Sequence, residues 1–142
     1  MTNLAAEVLG RDKLLTIMDK IQKHLRRLPV GNAQVTEAHE AERNSHNLNV
    51  YSGGMYVGVI DVITRENTLD WFEDCGTVSV DLDRLQRLKR HFFRKNGGFW
   101  AKDVCLAWVT SDNAVMLMNV REIIAHWAEL EATPKGGRFL PI

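Results

Sequence analysis

The chain has 142 residues, 45% of them hydrophobic and 25% charged, with a formal net charge of zero. That size and balance describe one domain with a proper core, and the neutral total excludes a dedicated, non-specific nucleic-acid coat protein. No apolar run approaches the roughly 18 residues of a membrane span, and the opening MTNLAAEVLGRDK lacks the pattern of a secretory signal, so the expectation is a cytoplasmic protein without a membrane partner, with Cys75 and Cys105 as reduced thiols.

In chain order, residues 12–28 predict a helix, because Leu14, Ile17, Met18, Ile21, Leu25 and Leu28 fall on one face. Asp12 stands where it caps the start, Lys23, His24, Arg26 and Arg27 suit the dipole at the end, and Pro29 stops it. Residues 3–9 suggest an earlier helical turn broken at Gly10. VGNAQ, at 30–34, reads as a turn. The polar stretch from Thr36 has no apolar period and is either a short exposed helix or an irregular first strand. It gathers Glu37, His39, Glu40, Glu42 and His46.

Residues 48–51 read as a short strand, turned by Ser52-Gly53-Gly54, since glycine supplies the positive φ of such turns. The stretch that follows, MYVGVIDVIT, is nearly continuous in apolar, largely β-branched residues. It predicts a central strand covered on both faces, with one acid, Asp61, inside it. A charge buried there is costly unless something pairs with it. Residues 65–77 read as a polar loop with Leu69, Trp71 and Phe72 turned inward, and 77–80 as a short extended piece.

Asp81 opens a second helix running to about Lys95. Leu82, Leu85, Leu88 and Phe92 form its apolar side, and Arg84, Arg87, His91 and Arg94 one basic stripe. Asn96-Gly97-Gly98 ends it. Residues 103–110 and 114–119 form a hairpin around Ser111-Asp112-Asn113. Asn119 and Glu122 have capping-box spacing for a last helix with Val120, Ile123, Ile124, Trp127 and Leu130 on one face. The tail KGGRFLPI reads as loosely held unless Phe139 and Leu140 dock. The fold class is therefore α/β (α+β): a single mixed sheet flanked by helices, in the order α-β-β-(β)-α-β-β-α. One domain spans 1–142, with its core at about 12–132 and peripheral termini at 1–11 and 133–142.

The neutral total hides segregation. Residues 61–83 hold seven acids against one base, and residues 84–95 hold six bases (Arg84, Arg87, Lys89, Arg90, Arg94 and Lys95) and no acid. The basic helix is a candidate phosphate-binding surface for DNA or RNA. The same residues also describe a solvated helix face neutralised by the acids before it, or a patch complementary to a protein partner or a second copy in a homodimer. Asp61 is a candidate metal ligand or a strand acid paired with a base. Glu40 and its neighbours are suitable metal donors by type but have no zinc-site spacing.

The element order, with a hairpin leading into a buried strand that bears an acid, resembles the PD-(D/E)xK, or restriction-endonuclease-like, nuclease superfamily, which includes Holliday-junction resolvases and many phage nucleases. Ile60-Asp61-Val62-Ile63-Thr64 looks like that family's third strand, which carries an acid, one residue and a lysine. The resemblance implies Asp61 as catalytic acid and Mg²⁺ ligand, with a glutamate such as Glu7 or one between Glu37 and Glu42, Glu40 among them, completing the set. It places Ile63 at the lysine and Asn47 or Asn49 at the second acid. Mg²⁺-dependent hydrolysis needs carboxylates around the metal and a cation to position the attacking water. The resemblance therefore implies a nucleic-acid-binding or processing protein, phage- or mobile-element-derived, with a degenerate or lost phosphodiesterase site. A non-enzymatic interaction module (inhibitor, assembly factor or homodimer) is the second reading. An active nuclease with a migrated lysine, Lys89 or Lys102, is the third.

Overall fold

The structure is a computed structural model, and it describes residues 10–26, 32–38, 47–93 and 103–142. Its elements are helix α1 (Arg11–Arg26), strands β1 (Ala33–Glu37), β2 (Leu48–Ser52) and β3 (Met55–Thr64), helix α2 (Leu69–Cys75), strand β4 (Thr77–Val80), helix α3 (Leu82–Phe92), strands β5 (Asp103–Val109) and β6 (Val115–Asn119), helix α4 (Val120–Ala125), a 3-10 turn (Trp127–Glu129) and strands β7 (Glu131–Ala132) and β8 (Arg138–Pro141). The expected class holds: a mixed central sheet flanked by helices. That sheet runs β1-β2-β3-β5-β6. The first three strands form an antiparallel meander, β5 lies parallel to β3, and β6 closes the edge antiparallel to β5.

Strand alternation divides the core in two. Ile60 and Val62 of β3, with Leu48, Val50, Ala107 and Val109, meet Leu14, Ile17, Ile21 and Leu25 of α1 on one face. Val59 and Ile63, with Val104, Leu106 and Trp108, face α3 and α4 on the other. Side-chain direction has period two, so Asp61 shares the α3 side with Val59 and Ile63. That placement brings the basic helix over the acid.

Four expectations are corrected. Strand β1 begins at Ala33, inside the expected turn, takes in Thr36 and Glu37 and pairs regularly with β2, while residues 39–46 of the polar stretch lie outside the described residues. Residues 65–77 are not a loop throughout, since α2 forms within them. Its start is capped by the Thr68 hydroxyl accepting from Trp71 N–H, and its end by Gly76 at φ 75°. Phe72 is buried there as expected, but Trp71 is 49% exposed. The last helix is shorter than its apolar face suggested and passes into the 3-10 turn. The sheet is not single, because β4, β8 and β7 make a second, three-stranded one.

That second sheet docks the tail. Leu140 lies in the core beside Val78 and Val80. The buried Trp108 Nε1–H donates to the Ser79 carbonyl at 3.1 Å, tying the small sheet to the large one. Gly137 is required by close approach, since a Cβ there would stand 2.2 Å from the Val80 carbonyl oxygen.

Candidate functional site

Asp61 has no exposed side-chain surface. Its Oδ2 accepts from Arg84 at 2.5 Å and Arg87 at 2.9 Å. The two arginines are three residues apart on α3, a spacing that sets them on one face. Leu85, Leu88 and Phe92 pack that helix onto the strand and hold the pair in place. Both arginine side chains stay about one-third open, at 29% and 34% exposure. Among the described residues, Asp61 Oδ1 and Arg87 Nε have no hydrogen-bond partner.

The neighbours on β2 are amides. Asn47 N–H donates to the Ile60 carbonyl at 3.2 Å, and its Oδ1 accepts from Val62 N–H at 2.7 Å. Asn49 Oδ1 accepts from the Tyr56 hydroxyl at 2.9 Å. Both asparagines are buried. Ile63, at the motif's lysine position, is 3% exposed inside the core. Arg65 stands nearby and donates to the carbonyls of Thr64 and Ser79. Burial lowers its pKa, Arg84 pushes the same way, and Asp81 opposes them. At the mouth, Asp81, Asp83, Arg84, Arg87 and Lys135 line an open cleft.

The donor set among the described residues does not fit Mg²⁺. The ion favours several oxygen ligands, carboxylates foremost. Among the described residues one buried carboxylate, Asp61, stands at the cluster, two guanidiniums occupy one of its oxygens, and the adjacent positions on β2 hold amides. No cluster of three or more His, Cys, Asp or Glu side chains suited to a metal occurs among the described residues. Glu40, with His39, Glu42 and His46, lies outside them, as do Glu7, Arg94, Lys95 and Lys102. Glu37 is in reach of Arg11, at 3.7 Å, away from Asp61.

The basic residues of α3 differ in their surroundings. Arg84 and Arg87 turn to Asp61. Arg90 and His91 are exposed, and Lys89 is half-buried with its ammonium 5.6 Å from the Phe93 ring centroid. Lys89 and Arg90 border a groove between α3 and α4 lined by Leu82, Leu85, Ile124 and Trp127. The groove was not anticipated from sequence. Its only signal there was the shared apolar period of Leu82 on one helix and Ile124 and Trp127 on the other.

No protein-family model matches the chain, and no curated protein matches it. Among solved structures it is similar to that of Archaeoglobus fulgidus Hjc, a Holliday junction resolvase from an archaeal hyperthermophile, at 14% identity over 89% of this chain and 87% of that one, with a TM-score of 0.49.

Proposed function

We propose that this is a nucleic-acid-binding protein of nuclease-like fold whose metal-dependent phosphodiesterase site has become a structural ion-pair cluster. The observation that carries the reading is the pair of arginines on Asp61. A carboxylate neutralised by two guanidiniums has little left to offer a divalent cation. Isoleucine and two amides stand where the resemblance places the lysine and the second acid. Binding is assigned to the outer face of α3, with Arg90 nearest solvent, the open sides of Lys89, Arg84 and Arg87 beside it, and Arg94 and Lys95 continuing the basic run in sequence. Phosphate contacts of this kind are sequence-independent and weaken with salt. Two free cysteines support a reducing, cytoplasmic setting.

The test separates the two halves of the proposal. Incubation with DNA and RNA in Mg²⁺ or Mn²⁺ is expected to give no cleavage, while gel shifts show binding that fades with salt and is lost in Lys89→Glu plus Arg90→Glu. Cleavage that disappears in Asp61→Asn overturns the lost-site reading. No shift with any single- or double-stranded probe overturns the binding reading.

A second reading, a protein-interaction module, is favoured by one feature. Trp71 is exposed on α2 among Asp70, Glu73 and Asp74, an aromatic anchor with an acidic rim.

A further inference from the structure

The two edges of the five-stranded sheet are finished differently. At β1 the chain uses side chains of α1 to close the edge: Gln22 Oε1 accepts from Val35 N–H at 3.0 Å, and Arg26 Nε donates to the Ala33 carbonyl at 3.1 Å. In the small sheet the Ser79 carbonyl of β4 is taken by Arg65 and Trp108. Among the described residues, strand β6, VMLMN, has no comparable device between Val115 and Asn119. It carries no charge, no proline and no bulge, which are the usual means of protecting an edge.

The ladder fixes which of its groups are free. Arg65 N–H donates to the Val109 carbonyl at 2.9 Å, so the odd-numbered residues of β5 bond toward β3. Thr110 N–H donates to the Ala114 carbonyl at 3.0 Å, so the even-numbered ones bond toward β6. With Trp108 opposite Met116 and Leu106 opposite Met118, the methionine amides turn inward, and the backbones of Val115, Leu117 and Asn119 turn out. No hydrogen bond among the described residues takes the outward groups of Val115 or Leu117.

We infer that β6 is the seat of a second copy of this chain, the two strands pairing antiparallel about a two-fold axis through Leu117, so that two five-stranded sheets become one. The strand is self-complementary in that arrangement. Leu117 meets its own copy and Val115 meets Asn119, so outward groups face outward groups in an isologous contact. The ends agree in charge. Lys20 lies at the Val115 end, its ammonium 2.5 Å from the Asn113 carbonyl. Glu122 lies just past the Asn119 end, where its neighbour Arg121 is drawn to Asp103 at 3.3 Å. The two-fold axis brings the lysine end of one copy to the glutamate end of the other. The inference is independent of whether α3 meets nucleic acid.

Analytical ultracentrifugation of the full chain tests it. The wild type is expected to sediment with the mass of two chains. Leu117→Pro removes an outward N–H and no bond to β5, a position where an edge strand accepts proline. It is expected to be monomeric with an unchanged far-UV spectrum. Val115→Lys places a charge at the edge without altering the backbone and is expected to be monomeric too, which keeps the test sound if proline disturbs the fold. Hydrogen exchange adds a direct readout: the Leu117 amide is protected at high concentration and exposed on dilution. A wild type that stays monomeric into the millimolar range overturns the inference. So does a dimer that survives both substitutions, or open-ended association in place of a closed pair.

Discussion

A carboxylate with no exposed surface survives at the centre of a sheet only if its partners offset a desolvation cost of several kcal/mol. Asp61 has two, and both are tethered to one packed helix, so α3 cannot leave the sheet without exposing an unpaired charge. The orphaned Oδ1 and Arg87 Nε show that the cluster is incompletely matched. Asp61→Asn keeps the shape and removes the charge, leaving two guanidiniums facing each other. A loss of about 2–3 kcal/mol is expected, below the usual cost of breaking a fully buried pair because the arginines are one-third open. Replacing the triad together, with Asp61→Leu, Arg84→Met and Arg87→Met, is expected to recover most of it. Urea titration measures both, and an unchanged midpoint in Asp61→Asn would show that the ion pairs contribute nothing. The cysteines make a second contrast at this scale. Burial pushes the Cys105 thiol up to about 12, and the carboxylates of Asp103 and Glu122 add to the shift, whereas Cys75 is exposed. The thiolate is the nucleophile, so at mildly alkaline pH iodoacetamide should label Cys75 and spare Cys105 until the protein unfolds. Mass spectrometry reads the order, and prior labelling at Cys105 would contradict the burial argument.

The connection between β5 and β6 is an element that organises others. Asp112 Oδ1 accepts from the Thr110 hydroxyl at 2.6 Å and from Leu69 N–H at 3.0 Å, so the hairpin turn also holds the start of α2. Lys13 and Lys20 of α1 donate to the carbonyls of Thr110 and Asn113 on the same turn. The Thr110 bond, then the Leu69 N–H, hold the Asp112 carboxyl below the usual carboxylate range. With the folded value lowered, its stabilisation is complete above the unfolded carboxylate value of about 3.9 and disappears as pH falls through the folded one. Asp112→Ala is therefore expected to lower Tm at neutral pH and to make progressively less difference as pH falls through the folded value. A Tm gap that persists unchanged into acid would assign the effect to packing. This turn also shows what sequence reading can reach. The turn itself was legible, because Ser-Asp-Asn interrupts two apolar runs. Its grip on Leu69 was not, since that contact spans 43 residues and leaves no local period. Helix α2 was missed for a related reason. Seven residues are too few to display helical periodicity, and five of them (Asp70, Trp71, Glu73, Asp74 and Cys75) face solvent.

At the scale of the whole molecule, two apolar layers on opposite faces of one sheet account for the legible part of the fold. The period of Leu14, Ile17, Ile21 and Leu25 and that of Leu85, Leu88 and Phe92 each announce a helix with one buried side. The second sheet was invisible because its strands are four, four and two residues long, and because β8 pairs with a strand some 60 positions earlier in the chain. The sequence leaves the partner of Asp61 an unspecified base; only packing selects Arg84 and Arg87.

Charge is distributed by the same packing. With a formal net charge of zero, no net long-range field draws the protein to nucleic acid, so the proposed binding takes its salt dependence from local phosphate contacts, those of the open cations on α3 among them. Each phosphate contact contributes about −0.9 to the slope of log K against log salt on duplex DNA and about −0.7 on single strands. Arg90→Ala is therefore expected to flatten that slope by roughly one contact's share and to weaken binding evenly across sequences. Arg87→Ala, whose guanidinium is already committed to Asp61, is expected to alter stability more than slope. Fluorescence anisotropy across a salt series distinguishes them. If the slope is unchanged in Arg90→Ala and collapses in Arg87→Ala, the phosphates meet the Asp61 cluster itself, and the outer face of α3 is not the binding surface.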